Sequence, residues 1–278
     1  MKLRLANVSV TLLLAVSLAT GCSSSYPPLT ENQVLEVMEA FELPRELVKL
    51  SDRSDTEFRE AYSAIERYTP KYPSVSSTCQ AVSEFSRVAQ YAQGGNSWKQ
   101  YMPADLRGFD VIGGKHYGLA TSSNADELAT VGVDIAILTF GSSSEAEEYA
   151  SLIRDNLESC FDFPKTSMAV PGLDIDVLSH ASTLIQTDLE VGGGGFGYEV
   201  VEDTHLELSK VAAFLDDSIV SENKVVEVNL YGPNLVVFVA TSSSKAEAVL
   251  GISAFTIAEE FTNLREPLSD LIRVESAG

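Results

Sequence analysis

The chain has 278 residues, with 40 acidic side chains against 19 basic ones and a net charge of −21. So acidic a surface repels polyphosphate backbones and anionic headgroups, which excludes nucleic-acid binding and attachment to a membrane through a basic patch. A hydrophobic share of 45% over this length supports a full core, so an intrinsically disordered chain is excluded as well.

In chain order, Lys2 and Arg4 form a short positive start, Val8 to Thr20 is mostly apolar and uncharged, and Ala19, Thr20 and Gly21 precede Cys22. This is the layout of a secretory leader. The apolar run, of about 13 residues, falls short of the roughly 20 that span a bilayer as a helix. A cysteine directly after the small residues resembles a bacterial lipoprotein signal. That resemblance implies residues 1–21 as signal peptide, diacylglycerol on the Cys22 sulfur, cleavage before it and acylation of the new amine. Ala19 stands where the lipoprotein pattern usually has leucine, with Leu18 one place back. Ordinary secretion and an uncleaved anchor are the alternatives. Residues 22–29, "CSSSYPPL", read as a flexible tether stiffened by Pro27 and Pro28. Residues 30–278 contain no linker rich in Pro, Gly and Ser that demands a division, so they read as one extracytoplasmic domain.

The domain opens with a helical part over residues 30–70. Thr30 caps a helix carrying Val34, Leu35, Val37, Met38 and Phe41 until Pro44 stops it. "SDTE" at Ser54 to Glu57 has capping-box spacing for a second helix to about Arg67. A third helix is expected from about Ser77 to Gln93, ended by Gly94-Gly95. From Phe109 the pattern turns to strands: "KHYGLATSS", "VDIAILTF", "DIDVLSH", "TLIQTDLEV", "YEVVEDTHLELSKVAAF", "KVVEVNLYG" and "NLVVFVAT". Two long helices, Glu145 to Cys160 and Lys245 to Leu264, interrupt and close that run. The fold class expected is α+β, a largely antiparallel sheet flanked by helices.

Within it, "DIAILTFGSSSEAE" (Asp134 to Glu147) is echoed about 100 residues later by "NLVVFVATSSSKAE" (Asn234 to Glu247). Each is a buried-strand run, three serines and a helix start, with Ser144/Glu147 and Ser244/Glu247 at capping-box spacing. Duplication explains the echo, and so does a shared solution to one packing problem. The apolar character of both strands places them centrally in the sheet, covered on at least one face.

With Cys22 lipidated, Cys79 and Cys160 remain. Outside the cytoplasm an even pair reads as a disulfide, with two buried free thiols as the alternative. Neither cysteine has the near Cys or His partner of a zinc site.

The chemistry-bearing candidates are few. "VGGGGFGYEV" contains Gly192, Gly194 and Gly197 in G-x-G-x-x-G spacing, but a dinucleotide fingerprint needs a helix next. "YEVVEDTHLEL" alternates like a strand, so the Gly192–Gly197 segment reads as a hairpin loop. His116, His180 and His205 are the only histidines. His205 and Glu207 share a strand face, as do Asp174 and Asp176, yet no metal-ligand spacing supports them, and no metal or cofactor is expected. No G-x-S-x-G elbow marks a nucleophile. Trp98, Tyr101, Met102 and Phe109 either line a cleft or plug the end of a core.

"PLTENQVLEVMEAFELP", "ILTFGSSSEAEEYASLIRDNLESC" and "YGPNLVVFVATSSSKAEAVLGISAFTIAEEF" resemble the opening, the strand-turn-helix and the closing strand and helix of actinobacterial lipoproteins with a sensor-type extracellular domain, the PknH type. That family usually has two disulfides where this chain has cysteines for one, and a tryptophan where this chain has Leu157. The resemblance implies an antiparallel sheet with flanking helices, a cleft for an unidentified ligand, no catalysis, and Cys160 paired with Cys79. The reading reached is a membrane-anchored surface lipoprotein, held to the bilayer through acylated Cys22. Its domain binds a small molecule or an envelope glycan. A protein-interaction or assembly lipoprotein is the alternative, and a secreted hydrolase the third.

Overall fold

The computed structural model describes residues 26–47, 50–52, 76–121, 129–161, 166–170, 175–189, 191, 195–208 and 218–275. The expected helix over Ser54 to Arg67 lies outside them, as does Cys22.

Helix α1 (Glu31–Ala40) starts where expected. The Thr30 hydroxyl accepts from Gln33 N and the Gln33 side chain accepts from Thr30 N, which satisfies two donors of the first turn. Val34, Val37 and Met38 face inward, whereas Leu35 is 51% exposed and belongs to the solvent face. The third expected helix is present but broken: α2 (Ser77–Glu84) gives way to a 3₁₀ turn (Phe85–Arg87) before α3 (Val88–Ala92). It starts at Ser77 as expected, and Ser76 caps α2 by accepting from Cys79 N. Gly95 stops the segment at a φ of 59°, the left-handed region that glycine enters freely.

Among the described residues, eight strands form one antiparallel sheet: β1 (Ser51–Asp52), β2 (Val111–Thr121), β3 (Ala129–Thr139), β4 (Thr166–Val170), β5 (Ile175–Leu189), β6 (Phe196–Leu208), β7 (Ser218–Tyr231) and β8 (Asn234–Ser243). Their order is β1-β2-β3-β8-β7-β6-β5-β4. The expected α+β class is therefore found. "DIDVLSH" and "TLIQTDLEV", read as two strands, are one: Ala181 and Ser182 between them include neither glycine nor proline, and β5 passes straight through. Strands β5 and β6 pair antiparallel with Leu189 opposite Gly197, and Gly192 to Gly194 of the expected loop lie outside the described residues. A strand, not a helix, comes after the glycines, which removes the dinucleotide fingerprint.

The central strands β3 and β8 are buried on both faces. Ala136, Leu138, Val237 and Val239 point into one core with α2, α3 and α4 (Ser143–Cys160). Val133, Ile135, Ile137, Val236 and Phe238 point into the other, with α1, α5 (Ala246–Leu250), α6 (Ala254–Ala258) and α7 (Phe261–Glu275). Helices thus cover both faces, which is why the two strands read as continuous apolar runs.

The echoed units diverge after their strands. Helix α4 is 18 residues long and joins the first core, whereas three shorter helices after β8 join the second. Neither expected capping box forms. Ser142, not Ser144, caps α4 by accepting from Glu145 N, and α5 begins at Lys245 without a side-chain cap. The long helix expected over Lys245 to Leu264 is divided because Gly251 takes a left-handed φ of 66° and Ser253 with Thr256 builds a fresh capping box.

Close approach of α3 to β2 depends on Gly114. A Cβ there would lie 2.5 Å from the Ile135 carbonyl oxygen and 2.6 Å from Ala92 Cβ. Gly114→Ala is expected to destabilise the domain by about 1–3 kcal/mol through overpacking, read as a lower urea midpoint at unchanged slope. An unchanged midpoint would show that α3 moves aside freely.

Candidate functional site

The cysteines that the sequence pairs are joined. Cys79 in the first turn of α2 and Cys160 at the last residue of α4 form a disulfide with Cα atoms 4.8 Å apart. The hydrophobic stripe of α4 (Ala146, Tyr149, Ala150, Ile153, Leu157) sets its angle on the sheet and so delivers Cys160 to α2.

The face of the sheet that carries the first core also contains charge. Lys224 of β7 is 1% exposed and Glu202 of β6 3% exposed, and their head groups meet at 2.7 Å. Ser86 Oγ donates to Glu202 Oε1 at 2.8 Å, and Arg87 Nη2 reaches Glu202 Oε2 at 3.2 Å. Arg87 also pairs with Glu84 at 3.4 Å. The 3₁₀ turn between α2 and α3 is therefore pinned to the sheet by a carboxylate that Lys224, Ser86 and Arg87 share. The Tyr198 hydroxyl, wholly buried on the same face of β6, has no hydrogen-bond partner among the described residues; burial, with the Glu202 charge second, pushes its pKa well up. Tyr198 stays a neutral phenol.

A second polar group lies nearer β2. His116 Nδ1 is 2.8 Å from Asp134 Oδ1, and Gln93 Nε2 donates to the same oxygen at 2.8 Å. The imidazole rests over Gly118 and Gly132, where any Cβ would come within 3 Å of the ring. The three side chains join β2, β3 and the end of α3. Of the other histidine and acidic candidates, His180 and Asp176 fall on β5, and His205 and Glu207 on β6; their side chains, and all of Asp174, lie outside the described residues. No group of three or more potential metal ligands occurs among the described residues.

On the opposite face, Arg265 of α7 clamps Glu227 of β7 with two bonds of 2.6 and 2.5 Å, and Asn229 donates to the same carboxylate at 2.7 Å. Its neighbour Glu199 of β6 is 6% exposed, and among the described residues no hydrogen bond or ion pair holds its carboxylate. Burial raises the Glu199 pKa. A carboxyl whose folded pKa lies above its unfolded one favours the folded state when protonated, so the penalty is complete above the folded pKa and fades as pH falls through it. Glu199→Gln is therefore expected to raise Tm at neutral pH, with the advantage shrinking toward about pH 4; a lower Tm at neutral pH would show that the carboxylate has a partner.

A small cleft opens between α4 and the β5–β6 hairpin. Arg154, Asp155 and Glu158 of α4 form one wall, and Thr187 and Phe196 the other, around a free volume of about 130 Å³. Sites for drug-sized ligands start at roughly 300 Å³. The aromatic segment forms no wall of this cleft: Met102 and Phe109 are each 1% exposed in the first core, and Trp98, on a 3₁₀ helix (Gly95–Tyr101), packs against it.

Of the expected tether over residues 22–29, the part from Tyr26 to Leu29 is docked on the domain, and residues 22–25 lie outside the described residues. Tyr26 OH meets Ser269 Oγ at 3.0 Å and takes a bond from Arg273 Nη2 at 3.2 Å, and its ring stands edge-on to Tyr231 at 5.6 Å. Asn234, fully buried at the start of β8, donates to Pro27 O at 2.9 Å and accepts from Leu29 N at 3.1 Å. The hydrogen bonds join residues far apart in sequence, and no local pattern signals them.

The fold so defined is an α+β domain in which two layers of helix enclose an antiparallel sheet. No family model and no curated protein matches the chain. A solved structure similar to it is the extracellular domain of PknH from Mycobacterium tuberculosis, at 10% identity and a TM-score of 0.37, covering 91% of this chain and 99% of that one. Superposition that loose carries no functional argument. Among the described residues no helix is long and apolar enough to cross a membrane.

Proposed function

We propose that this chain is a membrane-anchored bacterial surface lipoprotein whose extracytoplasmic, sensor-like domain binds a ligand without catalysing a reaction. The observation that carries the reading is the Cys79–Cys160 bridge, since disulfides persist in oxidising compartments. The leader ending at Cys22 supports it from the sequence side. The buried polar groups support binding over catalysis: Glu202, Lys224, Asp134 and His116 each act as a structural tie within the sheet or between a helix and the sheet. A protein-interaction or assembly role is the second reading, and the net charge of −21 favours it, because so acidic a surface attracts a basic envelope partner.

The test is native mass spectrometry on full-length chain produced with its leader in a bacterial host and extracted from the membrane fraction. Loss of residues 1–21, gain of acyl mass on Cys22 and a co-purifying adduct that leaves on gentle activation are the expected results. An unacylated polypeptide in the soluble fraction would overturn the anchor. A lipidated but bare domain that captures an envelope protein would replace ligand binding with the second reading.

A further inference from the structure

We infer that the domain meets the bilayer with one defined end of its sheet, the end carrying the β7–β8 turn and the start of α4, and that the opposite end faces the outer medium. The inference rests on the lipidation of Cys22 proposed above and adds the orientation that the docked approach imposes.

From Cys22 to Tyr26 are four residue steps, which reach at most about 14 Å however they are arranged. Tyr26 itself is fixed. Its hydroxyl is held by Ser269 and Arg273, the Arg273 guanidinium also lies 5.8 Å from its ring centroid, and its backbone oxygen packs against Gly232. At Gly232 a Cβ would come 2.9 Å from Tyr26 O and 3.5 Å from Ser143 Oγ, so the turn, the approach and the first residue of α4 are neighbours. The next residues are fixed too, by Asn234 through Pro27 O and Leu29 N. An acyl group on Cys22 therefore emerges beside the β7–β8 turn and cannot reach the far end of a ten-residue strand, about 30 Å away.

Strand register sorts the connections to one end or the other. Phe140 N bonds Pro233 O, and Val111 lies opposite Thr139, so the start of β2 and the exit of β3 are at the anchored end. Phe196 lies opposite Val228 and Leu189 opposite Gly197, which places the β5–β6 hairpin and its cleft at that end as well. The end of β2 at Thr121, the start of β3 at Ala129, the start of β7 at Ser218 and the exit of β8 at Ser243 all lie at the far end. A soluble partner approaching from outside meets that end, and the ends of β5 and β6 at Leu189 and Phe196 lie toward the lipid.

The echoed serines give matched probes. Ser144, exposed at the start of α4, marks the anchored end, and Ser244, exposed after β8, marks the far end. Full-length lipidated protein carrying Ser144→Cys or Ser244→Cys, labelled with a small fluorophore without reduction, is reconstituted into phosphatidylcholine vesicles bearing a headgroup quencher. Quenching is expected to be several-fold stronger at 144 than at 244. Equal quenching, or stronger quenching at 244, in protein that floats with the vesicles overturns the orientation while the anchor stands. Failure to float, or flotation of Cys22→Ala as well, removes the anchor and the orientation with it. A long Gly-Ser insertion after Ser25, combined with Tyr26→Ala, is expected to abolish the difference between the two labels; persistence of the difference would show that something other than the short docked approach sets the orientation.

Discussion

Replacing both Cys79 and Cys160 by alanine is expected to lower stability by about 4.5 kcal/mol, the loop-closure entropy of a bridge between positions this far apart. The sequence separation is 81 residues, and the closed loop contains α2, α3, β2, β3 and α4. Helices α2 and α4 lie side by side on one face of the sheet, so the bridge ties two parts of one layer whose chain connection runs through the sheet. The loss appears as a lower urea midpoint, and for a chain of this size as a fall in Tm of roughly 10 °C or more. Reducing agent added to the wild-type domain reproduces it without any change of side chain. A loss below about 1 kcal/mol in both experiments would mean that the denatured chain already holds α2 and α4 together.

Cutting Glu202 out of the buried network should cost nearly as much. Glu202→Leu takes from Lys224 its partner at 2.7 Å and leaves it the more distant Glu222 carboxylate, 3.8 Å away; it also takes from Arg87 the carboxylate at 3.2 Å. Breaking a buried pair from one side typically costs about 3–5 kcal/mol, because the remaining charge has lost both water and partner. Removing both ends together, as Glu202→Leu with Lys224→Met, should recover most of that loss, since well-packed apolar replacements of a buried pair are often neutral. The measurement is a double-mutant cycle in urea, with a coupling of several kcal/mol expected. Additive losses would mean that water reaches Lys224 and solvates it in place of Glu202.

The outline of the fold was legible because its main signals are local. Apolar continuity in "DIAILTF" and "NLVVFVAT" placed β3 and β8 at the sheet centre, and Thr30 with the apolar spacing after it announced α1 before any contact was known. The glycine hairpin was legible from the strand-like alternation of "YEVVEDTHLEL" immediately after it. Other features needed partners remote in sequence. Three serines offer three possible caps for α4, and the choice of Ser142 reflects the bond of Phe140 N to Pro233 O, which ends β3 and frees the chain to turn at once. The Gly251 break was visible as a glycine with a serine two places on, but Thr256 stands where the usual box has Glu or Gln, so the pattern passed as continuous helix. Lys224 and Glu202 each look like an ordinary polar position on an alternating strand. Only the 3₁₀ turn folding over them makes them interior, and nothing near either residue reports it.

The adjacency of β3 and β8 also sets the order of events during folding. Asn234 pairs with Thr139, yet the two are 95 residues apart, and α4 with four further strands is made in between. When β3 has emerged, the strand that completes its far edge does not yet exist. Its eleven residues, almost all destined for the interior, must wait as an unpaired apolar edge until the last strand arrives. Sheets closed by such distant pairings fold on the millisecond-to-second scale. Until then the unpaired edge of β3 is open to association with other copies of the chain, the general hazard of an apolar strand whose partner comes late.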